Sequence, residues 1–82
     1  MLLASLSDVR LSELARGDTA LVLGFVTSDE GAIRKLLALG LAPGDEIRVL
    51  ATWPAFLLEL GVNSYALDRE LASHVLVARR PR

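Results

Sequence analysis

The chain contains no cysteine, which removes disulfide frameworks, thiolate metal sites and cysteine nucleophiles at one stroke. It has one histidine, one tryptophan and one tyrosine, and aromatic residues make up only 5% of it. An excess of charge of either sign is missing too. Nine Lys and Arg stand against ten Asp and Glu for a net of −1, so no overall field draws phosphate backbones and nucleic acid is disfavoured as a partner. No apolar run approaches the roughly 18 residues of a membrane span, and direct membrane insertion is not expected. The opening MLLASLSDVR lacks a basic leader and has too short an apolar stretch for a signal peptide. Residues 1–10 therefore read as an extension that docks or frays, and the basic residues 79–82 as a tail. A reducing cytoplasm suits this composition.

What is present is apolar. Hydrophobic residues are 52% of the 82, with a mean hydropathy of +0.44. A domain this small buries only roughly 60% of its unfolded surface, so some of that apolar excess is expected outside, where it meets partners.

Arg34 to Leu50 organises the rest. Upstream, Thr27-Ser28-Asp29-Glu30 fits a capping box, with the Thr27 hydroxyl reaching three residues on and the Glu30 carboxylate reaching back, and predicts a helix over about Ser28 to Leu39. Ile33, Leu36, Leu37 and Gly40 share one face, leaving Arg34, Lys35 and Ala38 to water. Gly40 suits the left-handed residue past a helix end, with Leu41 packing back on Leu36. Ala42-Pro43-Gly44-Asp45 then suits a type II turn, and Ile47, Val49 and Ala51 alternate as a half-buried strand does. Ala15-Arg16-Gly17-Asp18 echoes that turn before a second apolar strand, Thr19 to Val26, whose two faces are both apolar as if covered on both sides. Gly24 marks a bulge or bend there.

Ala55 to Leu60 and Asn63 to Leu67 read as a hairpin about Gly61 and Val62. Asp68 caps one turn over Arg69 to Ser73, and Val75 to Ala78 is a last strand. Leu11 to Leu14 forms a helical turn. The fold class that follows is mainly β: about five strands and one inserted α-helix, closing into a small, partly open barrel.

LSELARGDTALVLGF, IRKLLALGLAPGDEIRVL and YALDRELASHVLV together resemble the FeoA family of bacterial ferrous-iron uptake, over residues 11–78. The most specific stretch is Arg34 to Val49, where Leu36-Leu37, Leu39-Gly40-Leu41 and Pro43-Gly44 stand as the family places them. The resemblance implies an SH3-like barrel and a non-enzymatic accessory that contacts FeoB, a membrane transporter with a cytosolic GTP-binding domain. A related domain ends DtxR-type iron-dependent repressors and there lends ligands to a metal site. Where the family often carries basic residues, this chain has Phe56-Leu57-Leu58-Glu59-Leu60 and Ser64, implying a more apolar surface.

Catalytic, cofactor and metal residues are not assigned. His74 has only Asp68 and Glu70 nearby in sequence and reads as a surface histidine; Ser73 beside it points away and makes no nucleophile and base pair. Asp18 and Asp45 read as turn stabilisers and Asp29 with Glu30 as helix N-terminal charge. Gly40 to Gly44 lacks the Gly-Lys-Ser/Thr that would cradle phosphate.

The candidate partner-binding residues are Trp53, Pro54, Leu57, Arg34 and Lys35. Trp53 before Pro54 is extended and either presents its ring outward or lids the core. Leu57 points opposite to Phe56 and Leu58. The leading expectation is a FeoB-type transporter, or its GTP-binding domain, as partner. The alternatives are a metal-responsive module that binds Fe(II) or another divalent transition metal directly, and a self-associating SH3-like domain forming a homo-oligomer through free strand edges.

Overall fold

The computed structural model describes residues 8–81, so most of the expected N-terminal extension and the final Arg82 lie outside the described residues. Six antiparallel strands form one sheet in the order β1-β6-β2-β3-β4-β5, open between β1 and β5. They are β1 (Asp8–Arg10), β2 (Thr19–Phe25), β3 (Glu46–Ala51), β4 (Phe56–Leu60), β5 (Asn63–Leu67) and β6 (Val75–Arg79). Helix α1 (Glu30–Ala38) joins β2 to β3, and the single turn α2 (Arg69–Ala72) joins β5 to β6. A 3₁₀ turn covers Leu11–Glu13. The mainly β, partly open architecture with an inserted helix is as expected. The strand count is one higher, because Asp8–Arg10 pairs with β6 in the register Asp8↔Ala78, Val9↔Val77 and Arg10↔Leu76.

The centre of the sheet is a local two-fold. Ala20 pairs with Ile47, and each strand of the β2–β3 pair is preceded by the same Ala-x-Gly-Asp turn. In the second turn Gly44 has φ +98°, and the Asp45 N–H donates to the Ala42 carbonyl at 3.1 Å, the arrangement of a type II turn. In the first, Gly17 has φ +91° and Asp18 donates to Ala15 at 3.0 Å. Each turn then bonds the opposite strand as a bulge with glycine in its first position. The Gly44 N–H donates to the Val22 carbonyl and the Val22 N–H to the Asp45 carbonyl, both at 2.8 Å. The Gly17 N–H and the Val49 N–H repeat this with Val49 and Asp18, at 2.8 and 2.9 Å. Both carboxylates fold back, Asp18 accepting from the Ala15 N–H at 2.8 Å and Asp45 from the Ala42 N–H at 2.9 Å.

Helix α1 begins later than the capping box predicts. Asp29 is the N-cap, its carboxylate accepting from Gly31 and Ala32, while the Thr27 hydroxyl accepts from the Asp29 N–H at 3.0 Å, two residues on. Two cap-type residues stand in tandem, and the one nearer the helix satisfies its free amides. The helix end is as predicted. Gly40 has φ +94°, its N–H donates to Leu37 at 2.9 Å, and the Leu41 N–H donates to Leu36 at 3.2 Å. That pair of bonds is a Schellman motif, closed by the burial of Leu36 and Leu41.

The core consists of one face of each long strand together with Leu36, Leu41, Leu11 and Leu14. Two expectations about faces are corrected. Leu37 is turned outward, 51% exposed, because the buried stripe runs through Ala32 and Leu36 with Ile33 and Leu39 half-buried beside it. Strand β2 is fully covered on one side only: Ala20 and Val22 are buried, Leu21 is half-buried and Leu23 exposed on the alternate face, and the register shift between Val22 and Gly24 returns Phe25 to the core side. An antiparallel sheet of this kind leaves its second face to solvent.

Candidate functional site

Strand β3 shifts register between Val49 and Ala51, so Leu50 is the extra residue and the chain bends as it leaves the sheet. The loop that follows, residues 52–55, holds Trp53 with 80% of its surface exposed. Of the two placements open to this side chain, the outward one is adopted. Over the core beside this loop lies Arg69, whose guanidinium carbon is 5.0 Å from the centroid of the fully buried Phe56 ring. The same guanidinium donates to the Thr52 carbonyl at 3.4 Å and ties the loop to α2.

Pro54 is exposed next to Trp53. Leu57 lies on the outer face of the sheet as its alternation requires, half-buried, paired with Ala51 on one side and Ala66 on the other. Two alanines as flanking neighbours leave its isobutyl group standing above the face. Arg48 and Glu59, 3.8 Å apart, continue that face as an exposed ion pair.

Arg34 and Lys35 both lie exposed on α1. Lys35 lines a cleft of about 190 Å³ with Asp29, Asp68, Glu70, Leu71 and His74; Arg34 does not. Helix α2 thus connects the two halves of the candidate surface, holding the Trp53 loop through Arg69 and facing Lys35 across the cleft. The carboxylates of Asp29 and Asp68 are already engaged as helix caps, Asp68 accepting from the Leu71 N–H at 2.8 Å. His74 is half-buried. Among the described residues, no group of three or more His, Asp or Glu is placed to hold a metal ion. The cleft is formed by residues far apart in the chain; of its lining, Lys35, Asp29, Asp68, Glu70 and His74 were singled out in the sequence, and none of that marked them as neighbours. Sequence reasoning missed Val62 and Leu37 as exposed apolar residues; Val62 is 100% exposed at the hairpin tip. Its signal was available, since Gly61 with φ +62° opens a type II′ turn whose second residue has no neighbours.

The arrangement offers apolar and cationic contact groups on a small sheet. A family model described as FeoA domain matches residues 9–79. The crystal structure of an iron uptake regulatory protein, FeoA, superposes with a TM-score of 0.81 at 32% identity, covering 89% of this chain and 97% of that one. FeoA of Stenotrophomonas maltophilia, crystallised with zinc and described as a prokaryotic SH3 domain protein and a candidate ferrous-iron transport activating factor, superposes with a TM-score of 0.75. It is 28% identical, with 90% of this chain and 98% of that one covered. IdeR of T. acidophilum shares the fold, with a TM-score of 0.84 over 90% of this chain and 35% of the repressor, at 22% identity. No curated protein sequence matches the chain.

Proposed function

This chain belongs to the FeoA domain family, and on that premise we propose that it is a non-enzymatic accessory of ferrous-iron transport, acting in the cytoplasm. It binds the cytosolic part of a FeoB-type transporter and adjusts that transporter's activity or assembly. The observation that carries the reading is the exposure of Trp53, 80% in a domain with one tryptophan, on a loop held by Arg69. Exposed aromatic residues fixed on a short loop are favoured contact anchors, because little side-chain freedom is lost when they are covered. In this reading Pro54 and Leu57 extend that contact, and the exposed Lys35 and Arg34 of α1 supply positive charge to the partner. No helix among the described residues is long and apolar enough to cross a membrane, which agrees with a partner that brings the membrane-spanning part itself.

Association with the transporter's GTP-binding domain, and with the whole transporter, tests the proposal. Immobilised wild-type protein is expected to retain the partner at low and physiological salt. Trp53→Ala is expected to weaken retention by at least about tenfold, the loss of a contact worth about 1.4 kcal/mol. Leu57→Asp, which places a charge between Ala51 and Ala66, acts in the same direction. No retention by folded wild-type protein at either salt concentration would refute the proposal.

A further inference from the structure

We infer that the free edge of β5 joins two copies of this chain, in an antiparallel β5–β5 pair related by a two-fold axis at Tyr65. The open sheet has two margins, and they are unequal. On one side β1 has three described residues with Asp8 and Arg10 exposed on it, a charged edge of the kind that repels a further strand. On the other, β5 reads Asn-Ser-Tyr-Ala-Leu, without charge or proline, and its register against β4 is unbroken from Asn63 to Leu67. Its first four residues are exposed or half-exposed. Among the described residues, none of the devices that blunt an edge is present on it.

The hairpin turn decides which backbone groups face outward. In a two-residue turn the flanking residues, here Leu60 and Asn63, exchange hydrogen bonds, and bonded and non-bonded pairs alternate from there. Asn63, Tyr65 and Leu67 therefore direct their amides and carbonyls to β4, while Ser64 and Ala66 direct theirs to the open side. A two-fold axis at Tyr65 sets Ser64 against the second copy's Ala66 and Ala66 against the second copy's Ser64. All four outward-facing residues are then paired in hydrogen-bonded positions.

The same axis explains why the occupant is a second copy. Tyr65, half-buried, meets its own counterpart in a non-bonded pair, the closer kind, where aromatic cross-strand contacts are favourable. On the other face Ser64 and Ala66 are small and exposed and leave room for the approach. No charged residue faces its own like, because Asp68 falls opposite the second copy's Val62. That register carries the fully exposed Val62 to the end of the second copy's hairpin where Arg69 holds Thr52 and Trp53 projects. The two most exposed large apolar residues among those described are thus brought to the same end of the joint.

Sedimentation velocity of the full chain across a concentration series, with amide hydrogen exchange on the same samples, tests the inference without any transporter. Its failure is therefore separate from failure of the proposed function. The sedimentation coefficient is expected to rise with concentration, and the Ser64 and Ala66 amides to gain protection as it does. Ala66→Pro removes an outward donor but leaves the β4 ladder intact, a change an edge strand tolerates. Ser64→Lys puts like charges across the joint with no backbone change, and carries the test if the proline variant fails to fold. Each is expected to weaken self-association by at least about tenfold. A wild-type chain that stays monomeric throughout, whether or not it binds other extended peptides, would overturn the inference. So would dimers that both variants leave undiminished, or dimers in which the two amides gain no protection.

Discussion

Asp18 and Asp45 make the same local bond in two copies of one turn, yet their removal is expected to have unequal effects. Asp18 is 3% exposed, its carboxylate accepting from the Ala15 N–H at 2.8 Å with Arg79 Nη1 at 3.9 Å. Asp45 accepts from the Ala42 N–H at 2.9 Å but is half-exposed, so water is at hand to replace the lost bond. A hydrogen bond to a charged group contributes about 1.5–3 kcal/mol, and Asp18→Ala should fall in that range. The ion pair adds little, since the Arg79 side chain is 40% exposed and well solvated. With water as substitute, Asp45→Ala should cost about 0.5–1 kcal/mol.

Urea unfolding followed by far-ultraviolet circular dichroism measures both. For a domain of this size the slope is near the low end, about 1 kcal/mol per molar urea, so Asp18→Ala should lower the midpoint by about 1.5–3 M. Total stability of about 4–12 kcal/mol leaves the variant folded in water. Asp18→Asn keeps an acceptor at the same place and should recover part of the loss. If Asp45→Ala proves as damaging as Asp18→Ala, burial does not set the strength of these bonds and the reasoning fails.

Gly44→Ala is expected to destabilise by about 1 kcal/mol although an added Cβ would meet nothing within 4 Å, because alanine disfavours φ +98° by about 1–2 kcal/mol and recovers part of that through a less flexible unfolded chain; an unchanged urea midpoint would count against it. Trp53→Ala should leave stability within about 0.5 kcal/mol, and Trp53 emission should be water-like and quenched by iodide nearly as free tryptophan is. A blue-shifted, unquenched Trp53 in dilute protein would contradict its exposure. Anaerobic calorimetry with Fe(II) is expected to give no saturable heat, since the Asp29 and Asp68 carboxylates beside His74 already hold backbone amides. Saturable heat that His74→Ala abolishes would favour the metal-responsive reading.

The parts of the fold legible in the sequence were those where one residue type admits one conformation. Gly40 before a buried leucine, Pro43-Gly44 and the Gly61 turn each fixed a corner, and the strands between them followed. Where two residues competed, sequence alone misplaced the outcome. Thr27 and Asp29 are both good caps, and Leu36 and Leu37 are equal in hydrophobicity but one position apart, about 100° around the helix. The buried stripe runs through Ala32 and Leu36, and nothing local to the two leucines marks which of them it takes. Asp8–Arg10 carried no strand pattern, since one valine between two charges has no period, and only β6 gives it a place. For the candidate surface, Phe56 is covered by Arg69, sixteen positions after Trp53, and no local pattern marks that arrangement. The Lys35 cleft likewise joins α1 to α2 and has no local signature.

The distribution of bulges separates stability from contact. Two turn-and-bulge units clamp the ends of the β2–β3 ladder, with Val22 and Val49 as their buried receiving residues. Beyond the clamps each strand breaks register once more, at Leu23 and at Leu50, and past those points the chain bends out of the clamped centre. Trp53, Val62 and the β5 edge all lie after the second break, outside the clamped β2–β3 ladder. Substitutions there should change association while leaving the unfolding midpoint nearly fixed, and substitutions at Asp18 or Gly44 should do the reverse. Proteins in which both properties moved together at Trp53 or Ser64 would show that the contact surface and the clamped centre are one cooperative unit.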